Sequence, residues 1–585
     1  EGEEGEEEKE KLGMLDVGMG CMLLGGVSFV MALFQMVNFD DDDVRRYAWT
    51  VVSNTIAIFL AVLFFSGNRE VLSKLFGGYG HGVLIFLHLA HCCLYLATML
   101  IVIGITSGVW CAPEDDAQKL RAENWVYYDA NMCHFGLPVE AEKEGQVRAV
   151  QREREDEKKR AQDGSNAHVA DSPTSDKEGN TKKATASVFI EEESGREIPV
   201  KKMQVEFERR RRSNRCWSTL LAHCAGFAAI TAGGSVQQAP PFNANALTAL
   251  LPIFFICAFL AVVFLFSQKM RERVKADAKK AGRQGLRAKL VDEACTEAET
   301  DILALTISFL LVQVVRFALT GQLPNIEGLE EPVHFECTWI LALKLIGIGA
   351  GFLVLVIVGE KVAACMKKEQ KHEHGHGGAE GHGASEHEHE DRFEKRLEIV
   401  MQSLTMSCAW CLMWGLRWLW MSQGPKGPEG EGTVLGLTVE AIGARVLLAV
   451  TLSILAFVII IQLDKIADAD NSDSGTMLKL VTSLVAGISM LVGFTWEHSF
   501  DGAVESVAEL NPSHPRTTKF FLGLGVMIVV LVPWRKFILK KAMELEELQV
   551  ENEKNKVRAK ARKQNPPMGS ERADSSKPLL HSPPR

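Results

Sequence analysis

The chain lacks the motifs that mark most catalytic centres. It has no glycine-rich phosphate loop and no G-x-S-x-G nucleophile elbow. These absences argue against P-loop chemistry and serine hydrolysis on an α/β fold, and we expect no enzyme. An N-x-S/T glycosylation acceptor is also missing, because Asn511 is followed by Pro512. Val236 to Ala246 carries no charge, and Gln322 to Glu336 carries no Lys or Arg. No Asp or Glu falls clearly in the middle of an apolar run. That counts against a proton- or sodium-coupled carrier, although carbonyls of broken helices can bind ions instead. The sequence begins at Glu1 without Met, which predicts a processed product with an upstream signal or helix. Its 13 Cys lie mainly in apolar segments, as suits buried reduced thiols better than a disulfide framework.

What is present is an alternation. The 585 residues are 47% hydrophobic, yet the mean hydropathy is only +0.04. Apolar runs of about 20 residues, enough to cross about 30 Å of hydrocarbon, alternate with charged segments. The expected fold is an all-α polytopic transmembrane helix bundle of about eleven spans. They run Leu12–Val37, Tyr47–Ser66, Gly82–Val109, Trp217–Gly234, Leu247–Ser267, Ile302–Thr320, Trp339–Val358, Leu397–Met421, Ala441–Leu463, Met477–Trp496 and Phe520–Trp534. Residues 1–11 form an acidic tail expected to be disordered. Residues 12–110 form a three-span region and 111–216 a long polar loop, mostly disordered. An eight-span region, 217–534, contains a His-rich linker at 366–392, and 535–585 is a charged helix followed by a disordered tail.

Lys and Arg concentrate in the longer linkers. The positive-inside rule therefore places the N-terminus on the non-cytoplasmic side and the C-terminus in the cytoplasm. The bilayer is the first partner. Cytoplasmic proteins reached through 111–216 and the C-terminal helix are the second, and no nucleic acid is expected.

Spans four/five, six/seven, eight/nine and ten/eleven read as versions of one unit. Each first helix ends in a Gly-, Pro- or acid-rich turn. Each second helix ends in a charged exit: Lys269 to Arg271, Glu360-Lys361, Asp464-Lys465 and Arg535-Lys536. Any helical hairpin obeying the positive-inside rule would look similar, so the repeat stands beside that plainer account.

Charge inside a span is costly and points to function by default. Arg316 and Lys344 lie about 10 Å from the outer surface at about 1.5 Å per residue. Long side chains snorkel that far, so interfacial anchoring is preferred to an ion pathway. The linker Lys371 to Glu390 carries His372, His374, His376, His382, His387 and His389 among Glu and Gly. Neutral imidazoles on a flexible segment suit zinc or another divalent transition metal, although His-rich tracts also arise by drift.

That linker resembles the cytoplasmic His-rich loops of ZIP and cation-diffusion zinc transporters. Glu497-His498-Ser499-Phe500-Asp501-Gly502 resembles the ZIP metal-site helix. It departs from that pattern because the acid follows His498 by three residues rather than four, and because no second His-Glu-x-x-His helix follows. The preferred reading of Glu497, His498 and Asp501 is a polar cluster at the outer interface. Ala222 to Ile230 with Gln237-Gln238, and Val492 to Gly502, resemble uncharacterised multi-pass membrane proteins of unicellular algae, which implies no activity.

Other features have structural explanations. Trp410, Trp414, Trp418 and Trp420 read as an interfacial aromatic belt. Gly347 and Gly351 have the spacing of a helix-packing face. His88 and His91 read as helix–helix hydrogen-bonding groups, and Cys408 and Cys411 as packing residues. The expected function is a transporter or channel for ions, metal cations among them. The alternative is a non-transporting scaffold or receptor-like protein that recruits cytoplasmic partners.

Overall fold

The computed structural model describes residues 24–76, 78, 80–110, 188–190, 197–280, 286–330, 338–374, 383–423, 433–434, 437–438, 442–469, 476–511 and 513–549. The fold is all-α. We number the helices α1 (Leu24–Val37), α2 (Asp42–Phe76), α3 (His81–Thr106), α4 (Val200–Gln237), α5 (Ala246–Lys280) and α6 (Leu286–Thr320). They continue as α7 (Trp339–His374), α8 (Gly383–Gln423), α9 (Ile442–Ala469), α10 (Thr476–Glu509) and α11 (Pro515–Pro533). A π turn, Trp534–Ile538, joins α11 to further helix reaching Gln549. Two short antiparallel ribbons pair Val188–Ile190 with Glu197–Pro199 and Thr433–Val434 with Leu437–Thr438.

Ten of these helices are long and apolar enough to cross a membrane, which is the make-up of a multi-pass membrane protein. The remaining one, α1, is shorter. It covers part of the first expected span, whose residues 12–23 lie outside the described ones. Several helices outrun their apolar windows. Helix α4 begins at Val200, so the basic run Arg209 to Arg212 is already helical.

Chain direction alternates along the bundle, which gives it two different ends. One carries the connections 77–80, 238–245, 321–338 and 510–514, and we call it the turn end. The other carries the connections after α3, α5, α7 and α9, and we call it the linker end. The even-numbered helices form a core. Neighbours pack as α2 on α4, α4 on α6, α6 on α8, α8 on α10, and α10 back on α2, which closes a ring of five. The odd-numbered helices flank it: α3 packs on α4, α5 on α6, α7 on α8, α9 on α10 and α11 on α2. All five core helices therefore run from the linker end to the turn end.

Burial separates the two sets. Of each apolar window, 61–89% is buried in the core helices, against 17–39% in the flanking helices. An apolar helix that stays exposed is suited to lipid, and a helix apolar all round suits a protein interior. The closest core–flank seam is between α7 and α8. A Cβ on Gly349 would lie 2.9 Å from Cys411 Cβ, and one on Gly415 would lie 3.4 Å from the Ala342 carbonyl. Both glycines permit that approach. The expectation for Gly347 and Gly351 is corrected here, since a Cβ on either meets nothing within 4 Å. These glycines lie off the seam, and Gly349 between them lies on it.

The interior of the ring is filled by aromatic side chains. Phe65 (α2) lies 6.0 Å from Phe227 (α4), Phe227 5.5 Å from Phe494 (α10), Phe494 4.3 Å from Trp410 (α8), and Trp410 5.0 Å from Phe309 (α6). Every core helix thus contributes one aromatic side chain to a continuous layer. Beside it, Met406, Met413, Met490 and Leu491 line a small apolar void with no room for a water molecule. The belt reading of the tryptophans is corrected as well. Trp410, Trp414 and Trp418 are buried, because residues four apart share one face of α8 and that face is the core-facing one.

Candidate functional site

The turn end is closed by the connection after α6. Helix α6 ends at Thr320. Gly321 then adopts φ +74°, its N–H donating to the Phe317 carbonyl at 2.8 Å. A side chain there would be strained, and glycine is the usual residue just past a helix C-terminus. Asn325 organises the rest of the turn. Its Oδ1 accepts from the N–H groups of Glu327 (2.9 Å) and Leu329 (2.8 Å), and its carbonyl accepts from Gly328 N–H (2.9 Å). Gly328 has φ +85°. The loop is thereby a compact turn held by its own backbone and one Asn side chain.

This turn docks on four core helices. Arg69 of α2 pairs with Glu327 at 2.6 Å. Gln238, just past α4, donates to the Pro324 carbonyl at 2.5 Å, and Gln313 of α6 donates to the Asn325 carbonyl at 3.1 Å. Arg316 of α6 donates from Nη2 to the Gly328 carbonyl at 2.7 Å and from Nε to Glu330 Oε1 at 3.0 Å, and Nη2 also contacts that oxygen. Trp418 of α8 donates Nε1–H to the same carboxylate at 2.9 Å. The guanidinium lies over the Trp414 ring, 3.9 Å from its centroid.

The expectation that Arg316 is an interfacial anchor is therefore corrected. Its side chain is 0% exposed and that of Glu330 is 4% exposed. A guanidinium can be buried when it is paired, hydrogen-bonded and stacked. The downstream loop supplies the pairing and the hydrogen bonds, and Trp414 supplies the stacking face. The pair is not saturated. Arg316 Nη1 and Glu330 Oε2 are buried without a hydrogen-bond partner.

Helix α10 carries the second half of the assembly. Met490, Phe494, Glu497 and Asp501 recur at spacings of four, three and four, so they share one face. Glu497 is 7% exposed and makes no hydrogen bond or ion pair among the described residues. Asp501 Oδ2 accepts from Lys519 Nζ of α11 at 3.2 Å, while its Oδ1 is buried without a partner. Arg445 of α9 donates to the His498 carbonyl at 3.4 Å. Glu497 is thus buried while His498 and Asp501 are half-buried, and the polar cluster expected there sits within α10, which continues to Glu509, packed against α9 and α11.

Trp414 joins the halves. Its ring lies 6.2 Å from that of His498, and Arg417 sits 5.3 Å from its centroid on α8. Arg316, Glu497, His498 and Asp501 accordingly belong to one turn-end assembly. Lys344 does not; it is exposed on the flanking helix α7. Sequence reasoning missed Glu330, Trp414 and Trp418 as members. The four-residue spacing of the tryptophans, which sets them on a single helical face, was a signal that could have found two of them.

Of the His-rich linker, the backbone is helical through His374 and again from Gly383, which includes His372, His387 and His389. His376 and His382 lie outside the described residues. Elsewhere, Asp41, Asp43 and Asp464 place oxygens within 4.8 Å of one another at the linker end. Two of them have local roles: Asp41 caps α2 through the N–H groups of Asp43 and Val44, and Asp43 pairs with Arg46 at 2.7 Å. His88 lies 3.0 Å from Ser235 Oγ, joining α3 to α4, and His91 stacks on Phe65. Cys408 and Cys411 are buried free thiols. Comparison with protein-family models, with curated proteins and with solved structures finds no match for the chain.

Proposed function

We propose that the chain is a membrane transport protein for ions, held here in a state closed at the turn end. The observation that carries this reading is the fully buried Arg316–Glu330 pair. Taking two charges out of water costs more than most such pairs return. A connection needed only to join two helices has no use for that cost. A loop that must hold one position and release to another does. Intramembrane charge of this kind is a functional feature by default. In this reading the loop 321–330 is a plug across the ring, the aromatic layer is the barrier beneath it, and the consecutive pairs α4/α5, α6/α7, α8/α9 and α10/α11 are copies of one unit.

We place the turn end on the non-cytoplasmic side and the linker end, with the C-terminus, in the cytoplasm, following the Lys and Arg distribution. No catalytic constellation supports an enzyme. The His-rich linker is then a cytoplasmic segment that takes zinc or a similar cation.

One observation favours a second reading. The dry aromatic layer gives ions no wet route through the ring, and a non-transporting scaffold with cytoplasmic partners would need none. Flux decides between the two. Full-length protein in proteoliposomes is assayed with a panel of monovalent, divalent and halide ions, beside Glu330→Gln and Arg316→Gln. We expect the substitutions to raise ion flux at least several-fold by releasing the loop. Absence of flux above empty vesicles in all three proteins would leave the scaffold reading.

A further inference from the structure

Glu497 is the most isolated buried acid among the described residues. It follows Phe494 by three residues, so its Cα stands about 4.5 Å beyond that of Phe494 along the helix axis, toward the turn end. On the other side lies the docked loop, tied to α2 through Arg69 and Glu327. At 7% exposure and with no hydrogen bond or ion pair among the described residues, a carboxylate here is largely withdrawn from water and gains no direct partner in return. Ordinary structural carboxylates are not left so. The next acid on the face, Asp501, repeats the pattern in part, since one of its oxygens is buried and unmatched.

The charged and titratable groups that face Glu497 come from every neighbouring element. They are Asp501 on its own helix, Lys519 of α11, Arg445 of α9 and Arg69 of α2. His498, adjacent in sequence, faces Arg417 of α8 and Arg445. Three cations around two acids repel a metal ion. A metal also needs several ligands at once, and Glu497, His498 and Asp501 do not converge into a three-ligand cluster among the described residues. A proton needs one oxygen and no coordination sphere.

We infer that Glu497 is a proton-binding carboxylate, which takes up and releases a proton between the aromatic layer and the docked loop. On uptake, a proton from the water beyond the loop adds to one carboxylate oxygen and leaves a neutral acid. On release, the same bond breaks and the carboxylate faces Lys519 and Arg445. Combined with the transport reading, on which its consequence rests, this makes protons the transported or coupled ion.

The test separates the two ideas. Purified full-length protein in nanodiscs is stepped through pH while infrared spectroscopy follows the carbonyl stretch of protonated carboxyl groups. We expect a titrating band that vanishes in Glu497→Gln and shifts in frequency in Glu497→Asp, with proton uptake reduced by about one per chain in the Gln variant. The Asp variant decides the matter if the Gln variant does not assemble. A band that is unchanged in both variants, or no titrating band at all, overturns the inference. Vesicles carrying a pH gradient are assayed in parallel. A band lost in Glu497→Gln with no proton flux in the wild type keeps the site and removes the transport reading. Flux with no Glu497 band does the reverse.

Discussion

Charges are handled differently at the two ends of this bundle. At the linker end most pairs are open to solvent. Arg211–Glu547, Arg215–Glu297 and Lys275–Asp292 have side chains between 37% and 47% exposed. Two arginines there, Arg46 and Arg271, are 7–8% exposed, but their acids Asp43 and Glu299 are 47% and 15% exposed, and Arg271 adds the Ser267 hydroxyl. At the turn end, Arg316 and Glu330 are sealed, each with a buried atom unmatched, and Glu497 is buried without a hydrogen bond or ion pair among the described residues. The linker end therefore uses charge to staple helix extensions in water, where each staple is worth little. The turn end holds charge where water cannot compensate it, so each group there strongly constrains its neighbours.

Breaking the sealed pair should give the largest effect. Removing one partner of a buried ion pair costs about 3–5 kcal/mol, because the other is left uncompensated. Arg316→Met and Glu330→Leu should each lower thermal stability in detergent by that amount, and the double variant should recover most of it. Single variants within about 0.5 kcal/mol of wild type would show that surface rules apply at both ends.

The contrast between core and flank predicts the next effect. Gly349→Val must displace Cys411, an overpacking worth about 1–3 kcal/mol, whereas Gly347→Val has open space and should change stability far less. Equal losses would mean that the seam between α7 and α8 lies elsewhere. Replacing Trp414 with Leu removes the face on which Arg316 rests, and desolvated cation–π contacts are worth about 2 kcal/mol. The loss should be smaller in an Arg316→Met background, which a double-mutant cycle would read. The smallest effect belongs to the linker end. Arg211→Ala should cost at most about 1 kcal/mol, and less in high salt. Separately, deletion of 372–389 should weaken zinc binding measured by calorimetry, and unchanged affinity would remove the metal reading of that linker.

These contrasts also show what could be read in advance. Apolar runs of spanning length were visible at once, since length and composition alone decide whether a helix can cross hydrocarbon. The sorting into core and flank was less visible, because lipid and protein interiors both accept Leu, Ile and Phe. It was partly encoded in phase. Trp410, Trp414 and Trp418 fall on one helical face, and that face meets Phe309, Phe494, Arg316 and Glu330 rather than lipid. The partner of Arg316 was hidden for a different reason. Glu330 lies 14 residues downstream, and only the turn built by Gly321, Asn325 and Gly328 brings it back. Depth counted along α6 says nothing of cover, and the guanidinium is covered by that turn. Glu497 was misplaced by the assumption that α10 leaves the bundle at Trp496.

The five core helices point the same way, with their carbonyl ends gathered at the turn end. Each helix carries roughly half a negative charge at that terminus from its aligned peptide dipoles. Five such termini around one axis make the mouth of the ring electronegative before any side chain is counted. Three core-helix cations, Arg69 on α2, Arg316 on α6 and Arg417 on α8, lie about one to two turns short of those ends. If the loop were released, Arg69 and Arg316 would lose Glu327 and Glu330, and these carbonyl termini would be the counter-charge left to them.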